Sequence, residues 1–228
     1  DYLCVAFDLR APTFRHKAYD LYKAQRKKMP EELAVQLPLL QEILTAMKIP
    51  CLTAEGFEAD DIIGTVSELC KQREIACEIL TGDKDDLQLI GDGTGVLLTT
   101  TRMGNTETEL YTSETVMERF GLSPAQIIDL KGLMGDSSDN IPGVRGVGEK
   151  TALALLQEYG SVEALYAGIE DNIKIKGALR EKLLQSRDDA FLSKELATIV
   201  RNVPIDFNFE SARRTTEYND NLYSLLKE

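Results

Sequence analysis

Two short apolar runs, residues 2–8 (YLCVAFD) and 76–82 (ACEILTG), constrain the fold of this chain more than any other feature. Both are apolar enough for strands covered on two faces, and both give way to an aspartate, Asp8 and Asp83. Helical period fills much of the space between them. One helix opens at Pro30-Glu31-Glu32, with proline in its first turn, and runs to about Lys48. A short strand is expected near 49–53, then a helix from GFEADD to about Arg73. GVLLTTT and TETELYT flank Met103-Gly104-Asn105 as a β-hairpin. Alternation of this kind predicts an α/β fold with a mixed, mainly parallel central sheet flanked by helices. In such sheets function gathers at the carboxyl ends of the strands.

From Ser113 onward the pattern turns helical, with helices expected at 113–120, 124–134, 149–158, 161–168 and 177–200. Three regions follow: 1–112 α/β, 113–205 helical, and a polar stretch, 206–228, read as a linker into a further domain. No apolar stretch is long enough for a membrane span and no signal peptide opens the chain, so a cytoplasmic setting without a membrane partner is expected. Cys4, Cys51, Cys70 and Cys77 have no metal-like spacing and sit in apolar runs, which suits reduced thiols. With one histidine, His16, a zinc site or histidine triad has little material.

Four acidic clusters fall at element boundaries: Asp8; Glu58, Asp60 and Asp61 in GFEADD; Asp83 and Asp85 in LTGDKDD; Asp136 and Asp139 in GDSSDN. Each has a plain alternative. Acids in a first turn favour any helix, Asp83 and Asp85 suit a turn, and Asp136-Ser-Ser-Asp139 suits a cap. Gathered together, eight carboxylates stay ionised only if cations neutralise them. Oxygen donors of this type take Mg²⁺ or Mn²⁺, and two such ions are a common device for phosphodiester hydrolysis.

Charge distribution adds a partner. The chain carries −12 overall, yet residues 10–28 hold seven Lys/Arg against one Asp, a local +6 that leaves −18 for the rest. A basic strip beside an acidic pocket suits a protein that grips phosphates and cuts between them; a solvated helix face is the alternative. The loop Gly143-Val-Arg145-Gly146-Val-Gly148-Glu-Lys150-Thr151 between two helices fits a helix–hairpin–helix on a nucleic-acid backbone. A tight connection with no ligand is the alternative there. A dinucleotide fingerprint is disfavoured because no strand precedes the loop.

FRHKAYDLYKAQR, GFEADD, TGDKD and GLMGDSSDNIPGVRGVGEKTA, in this order, closely resemble the 5′→3′ exonuclease domains of bacterial DNA polymerase I, relatives of flap endonucleases in the PIN-like superfamily. The resemblance runs from residue 1 to about 205. It implies a two-metal enzyme that removes 5′ ends, flaps and RNA primers at nicked or junction duplexes. Asp8, Glu58, Asp60, Asp61, Asp83, Asp85, Asp136 and Asp139 match the metal ligands. Arg15, Tyr22, Lys23 and Arg26 match residues that grip substrate at the helical arch; Lys23 and Arg26 would neutralise the reacting phosphate, and Tyr22 would stack on an unpaired base. Gly143, Gly146, Gly148 and Lys150, with Arg145 and Thr151, match the duplex-binding hairpin, where K⁺ is often held. Asp86 stands where the family has an apolar or small residue and is left outside the ligand set. The family pattern also places a strand ending in Asp-Gly-Asn, and a helix, ahead of residue 1. Without them strand 2–8 is expected to lack a neighbour and the site to be one carboxylate short. Two other readings remain, an RNase of the PIN-like type and a non-catalytic module that binds DNA junctions.

Overall fold

The computed structural model describes residues 1–169, 175–216 and 220–227; positions 170–174 of the expected helical region, and 217–219 and 228 of the expected linker, lie outside them. Strand β1 (Val5–Ala6) pairs in parallel with β2 (Cys51–Leu52). The first strand therefore has a neighbour, contrary to expectation, because the apolar run near 49–53 supplies one. A second sheet holds β3 (Cys77–Thr81), β4 (Thr94–Arg102) and β5 (Asn105–Tyr111), with β3–β4 parallel and β4–β5 antiparallel. The hairpin turns at Met103 and Gly104, whose φ values of 51° and 83° are the left-handed pair that a two-residue turn requires.

Helix α1 (Phe14–Ala18) lies in the basic strip. The helix expected from Pro30 divides into α2 (Glu31–Ala34) and α3 (Gln36–Ala46). Pro38 explains the break: it has no N–H to offer the carbonyl four residues earlier. Helix α4 (Ala59–Gln72) starts with a capping box in which Glu58 and Asp61 satisfy each other's backbone N–H ends. After α5 (Ser113–Phe120) and a 3₁₀ turn at Pro124–Gln126 come α6 (Ile127–Met134), α7 (Glu149–Tyr159) and α8 (Val162–Gly168). The single helix expected over 177–200 is two, α9 (Gly177–Gln185) and α10 (Arg187–Ala197). Ser186 interrupts it, and Asp188 and Asp189 then start the new helix in the turn where acids are favoured. Helix α11 (Asp220–Leu225) follows.

Leu122, Leu133, Leu156, Leu165, Leu183 and Ala190 centre the helical core, and Val96, Leu98, Val116, Ile127 and Ile199 join the second sheet to it. Residues 205–213 do not behave as a linker. Ile205, Phe207 and Phe209 pack against Ile62 and Val66 of α4, and Leu3 N–H donates to the Ala212 carbonyl at 2.8 Å. The apolar–polar alternation of IDFNF, period two, puts three large side chains on one face.

Candidate active site

The chain folds so that the four acidic clusters, each at the end or start of an element, lie next to one another. Asp8 follows β1 and accepts a hydrogen bond from Ala59 N–H, at 2.7 Å, at the start of α4. That contact lays the first cluster beside the second. Asp83 follows β3 and caps the 3₁₀ segment Lys84–Leu89 by accepting from Asp85 N–H at 2.9 Å. Asp136 and Asp139 sit on a loop after α6, closed by paired bonds between Asp136 and Ile141 of 2.9 and 2.8 Å.

Cations of the chain stitch these segments together. Lys131, from α6, lies 2.7 Å from Asp85 Oδ1 and also pairs with Asp136. Lys23 is 2.9 Å from Glu58 and 3.7 Å from Asp139, and Arg26 pairs with Asp139. Lys23 holds this place with φ at 53°, an unusual backbone for a lysine, fixed by its N–H on the Asp139 carbonyl at 2.8 Å.

The charge balance is uneven. Burial first, then Asp86 and Asp83, push Asp60 up to about 8. Burial lifts Asp85 to about 6 despite Lys131, and lifts Asp86 to about 7. Asp136 differs: burial works against its charge, but hydrogen bonds from Lys131 and Ser138 outweigh it and hold the carboxyl below its ordinary value. Lys131 thus satisfies one aspartate fully and the other only in part. The donor set consists of carboxylate oxygens, the chemistry that hard divalent cations take. Among the described residues no three His, Cys, Asp or Glu side chains are grouped to hold one ion as they stand. Lys131 lies between two of the carboxylates, so metal entry there requires it to withdraw.

A family model for the 5′-3′ exonuclease N-terminal resolvase-like domain matches residues 1–121, and one for the 5′-3′ exonuclease C-terminal SAM fold matches 122–220. The chain belongs to the 5′-3′ exonuclease family. It is 46% identical to DNA polymerase I of Caldicellulosiruptor bescii over 99% of its own length and 26% of that protein. Against DNA polymerase I of Bacillus subtilis it is 49% identical over 90% of its length and 23% of the relative. The chain thus spans about a quarter of these curated relatives. The structure of the bacteriophage T5 flap endonuclease, a pseudo-enzyme–product complex with DNA and metal ions, is similar at a TM-score of 0.70 and 25% identity, covering 86% of this chain and 74% of that one.

Three residues expected to meet metal or substrate have other tasks in this member of the exonuclease family. Arg15 is 3% exposed, and its guanidinium is spent on Asp61 at 2.7 and 2.8 Å and on the Leu196 and Thr198 carbonyls, each at 2.8 Å. Asp61, fully buried, also accepts from Val200 N–H at 2.9 Å. Together they clamp α4 to the end of α10, so neither is free for a phosphate or an ion. Tyr22 is buried as well and donates to Glu58 at 3.0 Å and to Asp139 at 3.3 Å, which leaves no ring face for a base.

In the glycine-rich loop, Gly143 is structural. Its N–H donates to Ser193 Oγ at 2.8 Å, its φ is 60°, and an added Cβ would fall 2.2 Å from the Gly135 nitrogen. Gly148 precedes α7, while Arg145, Gly146 and Lys150 are exposed and Thr151 is half-buried. One site residue escapes a motif-based search. Lys131 is a lone cation in the apolar helix IIDLKGLM, which was its one signal.

Proposed function

We propose that this chain is a metal-dependent 5′ nuclease that hydrolyses phosphodiester bonds at 5′ ends and flaps of DNA, RNA primer ends included, within a cytoplasmic protein that continues into a polymerase domain. The observation that carries the reading is the convergence of Asp8, Asp60, Asp83, Asp85, Asp136 and Asp139, from four separated segments, with Lys23, Lys131 and Arg26 among or beside them.

Mg²⁺ or Mn²⁺ fits this all-oxygen donor set, and ions bound there would supply an activated water and stabilise the leaving oxygen. Asp60 and Asp83 would hold one side, and Asp85, Asp136 and Asp139 the other. Glu58 is engaged by Lys23 and Tyr22 and would position rather than ligate. Lys23 and Arg26, freed from Glu58 and Asp139 as ions enter, would turn their charge on the reacting phosphate. Asp8 would fix the start of α4, and with it Asp60. Arg145, Gly146, Gly148, Lys150 and Thr151 would hold the duplex away from the cut, with K⁺ at the hairpin.

The test is cleavage of a 5′-labelled flap duplex beside single-stranded RNA, in Mg²⁺, by the protein in its full natural length. Asp83→Asn should abolish cutting while leaving flap binding intact or tighter, since one repulsive charge is gone. Wild-type cutting by that variant would remove Asp83 from the site. Tight flap binding with no cutting by the unaltered protein would instead support a junction-binding module, and preference for the RNA would support a PIN-like RNase.

A further inference from the structure

Gln88 is a buried polar side chain to which the chemistry above gives no task. It lies in the 3₁₀ segment Lys84–Leu89 and is 5% exposed, with Leu87 and Leu89 buried on either side. In such surroundings an amide is kept only when its hydrogen bonds are made. Here they are. Its nitrogen donates to the Asp85 carbonyl at 2.9 Å and to the Ala197 carbonyl at 3.0 Å, and its oxygen accepts from Ile199 N–H at 2.9 Å. The backbone carbonyl of Gln88 accepts from the Arg201 guanidinium at 2.6 Å.

Three of these four contacts run to one short strap, the last turn of α10 and the extended chain that follows it. Successive polar groups of the strap go to opposite sides, the period of an extended chain. The Leu196 and Thr198 carbonyls and Val200 N–H turn to Arg15 and Asp61, at the start of α4 where Asp60 also lies. The Ala197 carbonyl, Ile199 N–H and Arg201 turn to Gln88, in the segment that Asp83 caps and that contains Asp85. The strap thus joins two sets of acids from separate elements and fixes how far apart they stand. Lys131 also holds Asp85, but it has to withdraw before an ion can enter. Gln88 grips backbone, so its hold persists through that exchange. Six residues are a longer run of 3₁₀ geometry than such helices usually keep unaided.

We propose that Gln88 is a positioning residue of the cleavage step: through the strap at 196–201 it holds the Asp83–Asp85 segment at its working distance from the acids of α4. The inference rests on the nuclease reading and deepens it. Gln88 faces backbone, so its loss should fall on the chemical step and spare flap binding, which the basic side chains and the hairpin supply.

The test uses the protein in its full natural length on a 5′-labelled flap duplex in Mg²⁺, with single-turnover rate, flap affinity and thermal unfolding measured for each variant. Gln88→Met keeps the length of the side chain and removes its three bonds. It should slow cutting of saturating flap by about tenfold to a hundredfold, the cost of a misplaced reacting group, while flap affinity stays within about twofold. Tyr166→Phe controls for lost stability alone, since it removes one buried bond, to the Leu183 carbonyl at 3.0 Å, in the helical core. That variant should melt lower and cut at the unaltered rate. Should Gln88→Met fail to fold, Arg201→Met carries the test: it frees only the Gln88 carbonyl and should slow the same step by about threefold to tenfold. If the folded variant cuts saturating flap at the unaltered rate, or slows no more than Tyr166→Phe, while Asp83→Asn cuts nothing, Gln88 positions nothing and the nuclease reading stands. If Asp83→Asn cuts as the unaltered protein does, the segment that Gln88 anchors has no part in the reaction and both readings fall.

Discussion

Replacing Lys131 by methionine isolates the part played by the protein's own cations. The side chain is 17% exposed and lies 2.7 Å from Asp85, with Asp136 on its other side. At an effective dielectric constant near 20, one such pair is worth about 6 kcal/mol of attraction before desolvation is counted. Truncating one partner of a buried pair costs about 3–5 kcal/mol. Asp85, already lifted to about 6, can escape part of that by taking a proton, so about 3 kcal/mol is expected here. For a chain of this size that corresponds to a fall in melting temperature of about 6–10 °C in EDTA. Saturating Mg²⁺ should recover most of the loss. The ion replaces the missing charge in the variant, whereas in the unaltered protein it must first displace Lys131. Differential scanning calorimetry with EDTA and with Mg²⁺ gives both numbers. A variant that melts with the unaltered protein in EDTA, or carries the same deficit in both solutions, would show that Lys131 is not a counter-ion standing in a metal seat.

Acidity gives a second test. Asp60, Asp86 and Asp85 are pushed up from 3.8 to about 8, 7 and 6, burial being the first cause in each. Between about pH 4 and 8 the folded metal-free chain keeps protons that the unfolded chain releases, so these groups lower stability as pH rises through that window; urea melts at about pH 5 and pH 8 should show the fall, and Mg²⁺ should flatten it. Arg15→Lys should cost about 3 kcal/mol, because a lysine cannot span Asp61 and two carbonyls at once; a urea midpoint unchanged from the unaltered protein would refute the clamp. Gly143→Ala and Gly148→Ala should part company. The first forces a Cβ to 2.2 Å from backbone and should unfold the loop, while the second meets nothing within 4 Å and should keep its melting temperature. Flap affinity measured on Gly148→Ala then reports the hairpin contact alone.

The strand and helix order was legible because period and punctuation are local. Runs 76–82 and 94–111 carry their own turn residues, and the hairpin at Met103-Gly104 needed no tertiary information. Local rules explain two of the helix divisions. Pro38 divides a helix whose apolar period runs straight through it, and Ser186 with Asp188 and Asp189 divides another. IDFNF looked like linker only because its partners on α4 lie more than a hundred residues earlier.

The site was legible as a set of acids and much less so as a set of roles. Arg15 and Lys23 stand eight apart in the same basic strip, and Glu58 and Asp61 three apart in the same cluster. Nothing in their spacing separates a clamp from a working pair. The separation comes from the carbonyls of Leu196 and Thr198, at the far end of the chain, which close over Arg15 and draw it out of solvent with Asp61. Lys23 has no such lid and stays 17% exposed. An ion pair sealed by backbone acceptors has satisfied its hydrogen bonds and has little reason to exchange them for a substrate phosphate. One left open to solvent can exchange partners. By that criterion Lys23, Arg26 and Lys131 are the cations able to move when metal and DNA arrive, and Arg15 is the one that cannot.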